Sequence, residues 1–189
     1  MKYFAVFAAV TLTASPVVAS DFTASIEDFY RSEVASWAND PALVAAVTSQ
    51  NAMTGGYDQA EIDALDQAWR AEVGQAERPT IAPVLTSVTS DMLRERVAEY
   101  GGQITEIFVM DAVGLNVAAS DVTSDYWQGD EDKFSETFLK GPDGLHISDV
   151  EFDESTQRYQ GQVSFSIVDP VTGLAVGAMT VGVDAESLM

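Results

Sequence analysis

Cysteine is absent from the 189 residues, which removes disulfides, thiolate metal sites and cysteine nucleophiles. Histidine occurs once, at His146, so multi-histidine zinc sites are excluded. A Ser/His/Asp hydrolase would need that imidazole beside a nucleophile. No Gly-x-Ser-x-Gly elbow exists, and Leu145-His-Ile-Ser has the chemistry of a strand. No catalytic residue and no cofactor is expected. Basic residues are few, 9 Lys and Arg against 30 Asp and Glu, for a net charge of −21. Nucleic acid and anionic membrane surfaces are bound through Lys and Arg, and a field of this sign repels both. The acidic residues are spread along the chain, as on a solvated surface. Long apolar runs are missing too: no segment reaches the ~20 residues needed to span a bilayer. Leu174–Val183 comes closest, and its alternation and glycines are those of a strand.

What is present begins with an export signal. Met1-Lys2 is a short basic start, Tyr3–Leu12 an apolar run, and Val17-Val18-Ala19 a small-residue cleavage site. Residues 1–19 are expected to be removed after Ala19, leaving a soluble periplasmic product. Losing Lys2 leaves 8 basic residues against 30 acidic ones, a net charge of −22. The remaining length suits one domain with a core of its own. Residues 20–92 form its helical part and 93–189 its sheet region.

In the first half Phe22, Ile26, Phe29, Tyr30, Val34 and Trp37 recur at steps of three and four, which predicts an amphipathic helix over Asp21–Ala38. Asp40-Pro41 restarts a helix through Val47, and Gly55-Gly56 breaks it. Asp58 with Glu61 is a capping-box start for a helix carrying Ile62, Leu65, Trp69 and Val73. Pro79 and Pro83 mark a connection. A helix with Met92, Leu93, Val97 and Tyr100 closes at Gly101-Gly102.

The second half reads as strands. A hairpin, Ile104–Met110 and Leu115–Ala119, turns at Asp111-Ala-Val-Gly114. Leu145–Val150 follows. Tyr159, Val163, Phe165 and Ile167 alternate with Gln160, Gln162, Ser164 and Ser166, the period of a half-buried strand. Asp169-Pro-Val-Thr-Gly173 turns into Leu174–Val183.

Between them lies Asp121-Val-Thr-Ser-Asp-Tyr126-Trp127-Gln-Gly-Asp130-Glu-Asp-Lys133-Phe134, two adjacent aromatics among carboxylates. It supports two readings. In one, Ser124 or Asp125 caps a helix, Asp130, Glu131 and Asp132 suit its positive end, and Trp127 and Phe134 pack inward. In the other, Tyr126 and Trp127 wall a small-molecule pocket. A calcium loop is not indicated, because the Asp-x-Asp-x-Asp-Gly spacing is lacking, and no metal is expected.

Strand pair, aromatic loop, then three strands ending Val168-Asp169, turn, Gly173, Val176-Gly177-Ala178: from about Leu93 to Leu188 this order resembles the extracytoplasmic Cache sensor domain, a relative of the PAS fold. The resemblance implies an α+β fold, a five-stranded antiparallel sheet with a long N-terminal helix and additional helices packed on it. It also implies ligand binding between loop and sheet, with Tyr126, Trp127, Asp130, Lys133, Phe165 and Asp169 as the binding residues. Amino-acid-binding Cache domains often carry an arginine two residues before the tryptophan. Asp125 stands there instead, which points from α-carboxylates toward a cationic or neutral ligand such as an amine. Lys133 would reverse that preference if it faced inward. The resemblance further implies a membrane receptor, kinase or transporter as partner, since the chain stops a few residues past its last strand. A homodimer through the first helix, and a ligand-free accessory subunit, remain open.

Overall fold

The chain is described here by a computed structural model, which covers residues 17–153 and 158–188. Residues 1–16 of the expected leader lie outside the described residues, and the expected cut after Ala19 falls in the first turn of the first helix. Helix α1 (Val17–Phe29) continues into one π-helical turn, Tyr30–Val34, closed by Ala35 N–H donating to Tyr30 C=O at 2.8 Å. The single helix expected over Asp21–Ala38 is therefore two helical forms in series. The wider turn lets Tyr30 lie on Phe165, ring centroids 4.8 Å apart, while Val34 and Trp37 are buried.

Helices α2 (Pro41–Thr54) and α3 (Gln59–Glu72) start where their caps predict, and α5 (Val88–Glu99) starts after Ser87, whose side chain accepts from Ser90 N–H. Asp40 accepts from Ala42 N–H, and Asp58 and Glu61 form both bonds of the capping box. Helix α2 runs a further two turns past Val47, to the Gly55-Gly56 break. The Pro79–Pro83 connection contains a short helix α4 (Ile81–Leu85), which covers Trp69. Gly101 and Gly102 hold positive φ after α5, as a left-handed cap requires. The expected division at Leu93 falls inside α5.

The sheet is antiparallel throughout, in the order β2–β1–β6–β5–β3, with β4 also on β5. Its strands are β1 (Ile104–Met110), β2 (Asn116–Ala119), β3 (Leu145–Ile147), β4 (Glu151–Asp153), β5 (Arg158–Val168) and β6 (Ala175–Asp184). The predicted third strand, Leu145–Val150, thus ends at Ile147, and β4 lies beyond it, a sixth strand where five were expected. From Ile147 to Glu151 the edge advances four residues while β5 advances three, from Val163 to Gln160. One residue is extra, a bulge that breaks β3 from β4 and re-aims Ser148–Val150.

One face of the sheet is the main core. Ile107, Val109, Val163, Phe165, Ile167, Met179, Val181 and Val183 pack there against Ile26, Phe29, Val34, Trp37, Leu43, Val47 and Leu93. Gly161 permits the closest approach: a Cβ there would run into Ile26 Cδ1. A fold of α+β class, with a long N-terminal helix laid on an antiparallel sheet and further helices beside it, is what the Cache resemblance implied.

Candidate functional site

The opposite face of the sheet is polar along β5. Gln160, Gln162, Ser164 and Ser166 point away from α1, because successive strand residues alternate faces. Register places His146 beside Ser164, Ser164 beside Thr180, and Thr180 beside Phe108, forming one row across the sheet. The Ser164 and Thr180 hydroxyls hydrogen-bond at 2.9 Å. The neighbouring row joins Gln162, Gly182 and Glu106. Gln160 and Gln162 both donate their amide Nε2 to Glu106 Oε1, at 3.2 and 3.0 Å. Thr105 Oγ1 donates to Gln160 Oε1 at 2.6 Å.

Over this face comes the aromatic loop, held from two sides. From α3, Asp66 accepts the backbone N–H groups of Tyr126 and Trp127 at 2.9 and 3.1 Å. Its other oxygen accepts from Arg70 Nε, and Arg70 also reaches Asp125. Trp69 donates its indole N–H to Thr123 C=O and stacks on Tyr126. Burial pushes the Tyr126 phenol up to about 12, and the Asp111 carboxylate adds to the rise. From the hairpin, Val113 C=O accepts the Trp127 indole N–H at 2.8 Å, and Gly114 C=O accepts Gln128 N–H. Gly114 has φ 87°, and a side chain there would collide with the Gly129 backbone, while one at Gly129 would run into the Trp127 indole.

The pinned loop delivers Asp130–Lys133 above the sheet and into helix α6 (Asp132–Ser135). Lys133 faces inward. Its ammonium lies 2.9 Å from Glu131 Oε2, 3.2 Å from Gln128 Oε1 and 5.4 Å from the Phe108 ring centroid. Between this loop and the β3–β4 edge opens a cavity of about 700 Å³, a size that suits a small metabolite. Asp130, Glu131, Asp132 and Lys133 line one side; His146–Asp149, Glu151 and Phe152 line the other, and Gln160 and Gln162 also border it. Five carboxylates among the described residues face one lysine, which is itself paired with Glu131. Among the described residues no group of three or more His, Asp or Glu stands close enough to hold a metal ion.

The sequence-predicted site residues divide. Asp130 and Lys133 line the cavity; Tyr126, Trp127, Phe165 and Asp169 do not. Tyr126 is taken up by Trp69, and Trp127 fastens the loop to the β1–β2 turn. Phe165 is buried on the α1 face, because it shares the parity of Val163 and Ile167. Asp169 sits in the β5–β6 turn, where its carboxylate accepts from Val171 N–H and the Thr172 hydroxyl. Those two bonds hold it below the usual carboxylate range. The expected pocket was to be shared by Trp127 and Asp169; the cavity described here lies at the sheet edge and borders neither. The helix that Ser124 or Asp125 would cap is likewise corrected: α6 begins only at Asp132, and Asp125 is paired with Arg70.

His146, Ser148, Asp149, Glu151, Phe152, Gln160 and Gln162 were not singled out as binding residues. One signal for them was in the sequence: an 11-residue strand, β5, whose non-core parity is Gln-x-Gln-x-Ser-x-Ser. The bulge that turns Asp149 toward that face had none.

No family model matches the chain, and no curated protein matches it. Solved structures similar to it include the sensor domain of the V. cholerae histidine kinase DctB, with 12% identity, TM-score 0.46, and coverage of 91% of this chain and 58% of that one. The ligand-binding domain of Campylobacter jejuni chemoreceptor Tlp3, in complex with 4-methylisoleucine, matches at 11% identity and TM-score 0.39, over 85% and 64% of the two chains. That of the Pseudomonas aeruginosa amino-acid chemoreceptor PctC, in complex with GABA, matches at 14% and 0.42, over 91% and 58%. The chain spans less than two thirds of the length of each. Among the described residues no helix is long and apolar enough to cross a membrane.

Proposed function

We propose that this is a periplasmic, non-catalytic single-Cache sensor protein that binds a small cationic or neutral metabolite, such as an amine or amino acid, in the cleft between Asp130–Lys133 and the sheet edge. The observation that carries the proposal is a cavity of about 700 Å³ bordered by five carboxylates, with its one lysine already paired. Such a wall lowers the energy of a bound cation and raises that of an anion. Ligand binding would shift the protein between two states only by its differential affinity for them. The readout is proposed to belong to a membrane kinase, chemoreceptor or transporter.

The test is a thermal-shift screen of amines, amino acids and organic acids, followed by calorimetry of the hits. A stabilising amine whose affinity falls on changing Asp149 or Glu151 supports the site. Absence of any stabilising small molecule would favour the ligand-free accessory subunit instead. The solid contact of Trp127 with Gly114 and Gly129 supports that second reading for the inner half of the loop. Export is proposed on the leader alone, and intact-mass analysis of periplasmic material should find a chain beginning at Ser20. Retention of Met1 with membranes would reject it.

A further inference from the structure

The polar groups around the cleft are arranged so that acceptors, far more than donors, are left for a ligand. Glu106 draws the Nε2 groups of both Gln160 and Gln162 toward itself. An amide whose nitrogen is fixed has its oxygen fixed too. Gln160 Oε1 is taken by the Thr105 hydroxyl, whereas Gln162 Oε1 makes no hydrogen bond among the described residues. Gln162 therefore offers the cleft an acceptor. The Ser148 hydroxyl donates to Asp149 C=O and accepts from Gln162 N–H. Lys133 spends its ammonium on Glu131, Gln128 and the Phe108 face. Among the lining side chains, only His146 keeps a ring N–H without a partner in the described residues. The carboxylates come from two separate segments, Asp130–Asp132 on the loop and Asp149–Glu151 on the bulged edge, with the exposed Phe152 ring beside the latter.

From this arrangement we infer that the ligand is a di- or polyamine, or a guanidine-bearing amine of similar length, with no carboxylate. The inference rests on the small-molecule reading above and narrows it. A cationic group at each end finds its own carboxylates, the Gln162 oxygen accepts from one of them, and Phe152 supplies a π face at the outer end. An amino acid would place its carboxylate where no cationic donor among the described residues is free, so it would pay the desolvation cost of that group without a compensating partner.

The test is calorimetry with putrescine, spermidine and agmatine against leucine, γ-aminobutyrate and succinate, at roughly physiological salt to screen diffuse attraction. Three variants are compared: D149N/E151Q, Gln162→Leu, and E77Q/E95Q as a control with the same charge change away from the cleft. Asp149, Glu151, Glu77 and Glu95 are all exposed, so these changes leave the fold intact. Expected is one-site binding of at least one amine probe, weakened roughly tenfold by D149N/E151Q and several-fold by Gln162→Leu, and unchanged by the control. Equal weakening by both charge pairs would mean attraction to the acidic surface at large and would overturn the inference. Binding of leucine or γ-aminobutyrate, with no amine bound, would overturn it while leaving the sensor proposal standing, whereas binding of succinate alone would overturn it together with the cationic or neutral ligand class proposed above. No binding by any compound in this set or in the wider screen would overturn both.

Discussion

The ring of Tyr126 lies 4.9 Å from that of Trp69 and within 4° of parallel. This stack, between residues on α3 and on the loop, buries the phenol and pushes it up to about 12. An ordinary tyrosine ionises near ~10, so the unfolded chain releases this proton first as pH rises. The stabilisation is whole below pH ~10 and is lost as pH climbs through about 12. Phenolate absorbance during an alkaline titration should show a late-ionising tyrosine, and Tyr126→Phe should remove it. If all tyrosines ionise together near the ordinary value, the stack does not exist in solution.

Asp111, at the β1–β2 turn, is fully buried and accepts four hydrogen bonds, from Gln50, Thr54, Val113 N–H and Leu115 N–H. Asp111→Ala would strand those donors in the interior. The expected loss is about 3 kcal/mol, at the upper end for an uncompensated buried group. Urea unfolding measures it. A loss within the surface-substitution range, about 0.5 kcal/mol, would mean that water reaches the turn.

Much of this was legible from sequence, and the limit falls at a definite place. Asp40, Asp58 with Glu61, and Gly101-Gly102 speak about their own neighbours within four residues, so helix ends were readable. The parity of Val163, Phe165 and Ile167 named the core face of β5, and it also argued against Phe165 as a pocket wall. Pairings across long separations were silent. Nothing in the sequence announces that Asp66 holds the amides of Tyr126 and Trp127, 60 and 61 residues on. Asp169 misled because a carboxylate beside Pro170 and before Gly173 looks the same whether it faces a ligand or closes its own turn. The cleft depended on a bulge, which exists only in the pairing of two strands.

Among the described residues Lys133 is the one cation in the cleft wall, and its effect on ligand charge is measurable. Lys133→Met keeps the stem over Phe108 and removes the ammonium. An amine probe that binds the cleft should then bind three- to tenfold more tightly, the scale of one partly screened charge. Weaker amine binding by this variant would show that Lys133 organises the cleft, and tighter binding of organic acids would contradict the charge argument altogether.

Gly161→Ala should cost about 1–3 kcal/mol, because the new methyl group overpacks against Ile26. Ile26→Val in the same chain should recover part of that loss. A double-mutant cycle in urea gives the coupling. Additive effects would place Ile26 elsewhere than on Gly161.

Gly161 has Gln160 and Gln162 for neighbours, so one tripeptide both seats the first helix and floors the cleft. A change of ligand preference made through either glutamine disturbs the peptide planes beneath Ile26. Mutational routes to a new specificity are thereby narrowed. They lead through Asp130–Lys133 and the exposed Asp149 and Glu151, and adaptation of this protein to a different metabolite should leave its record in those two segments.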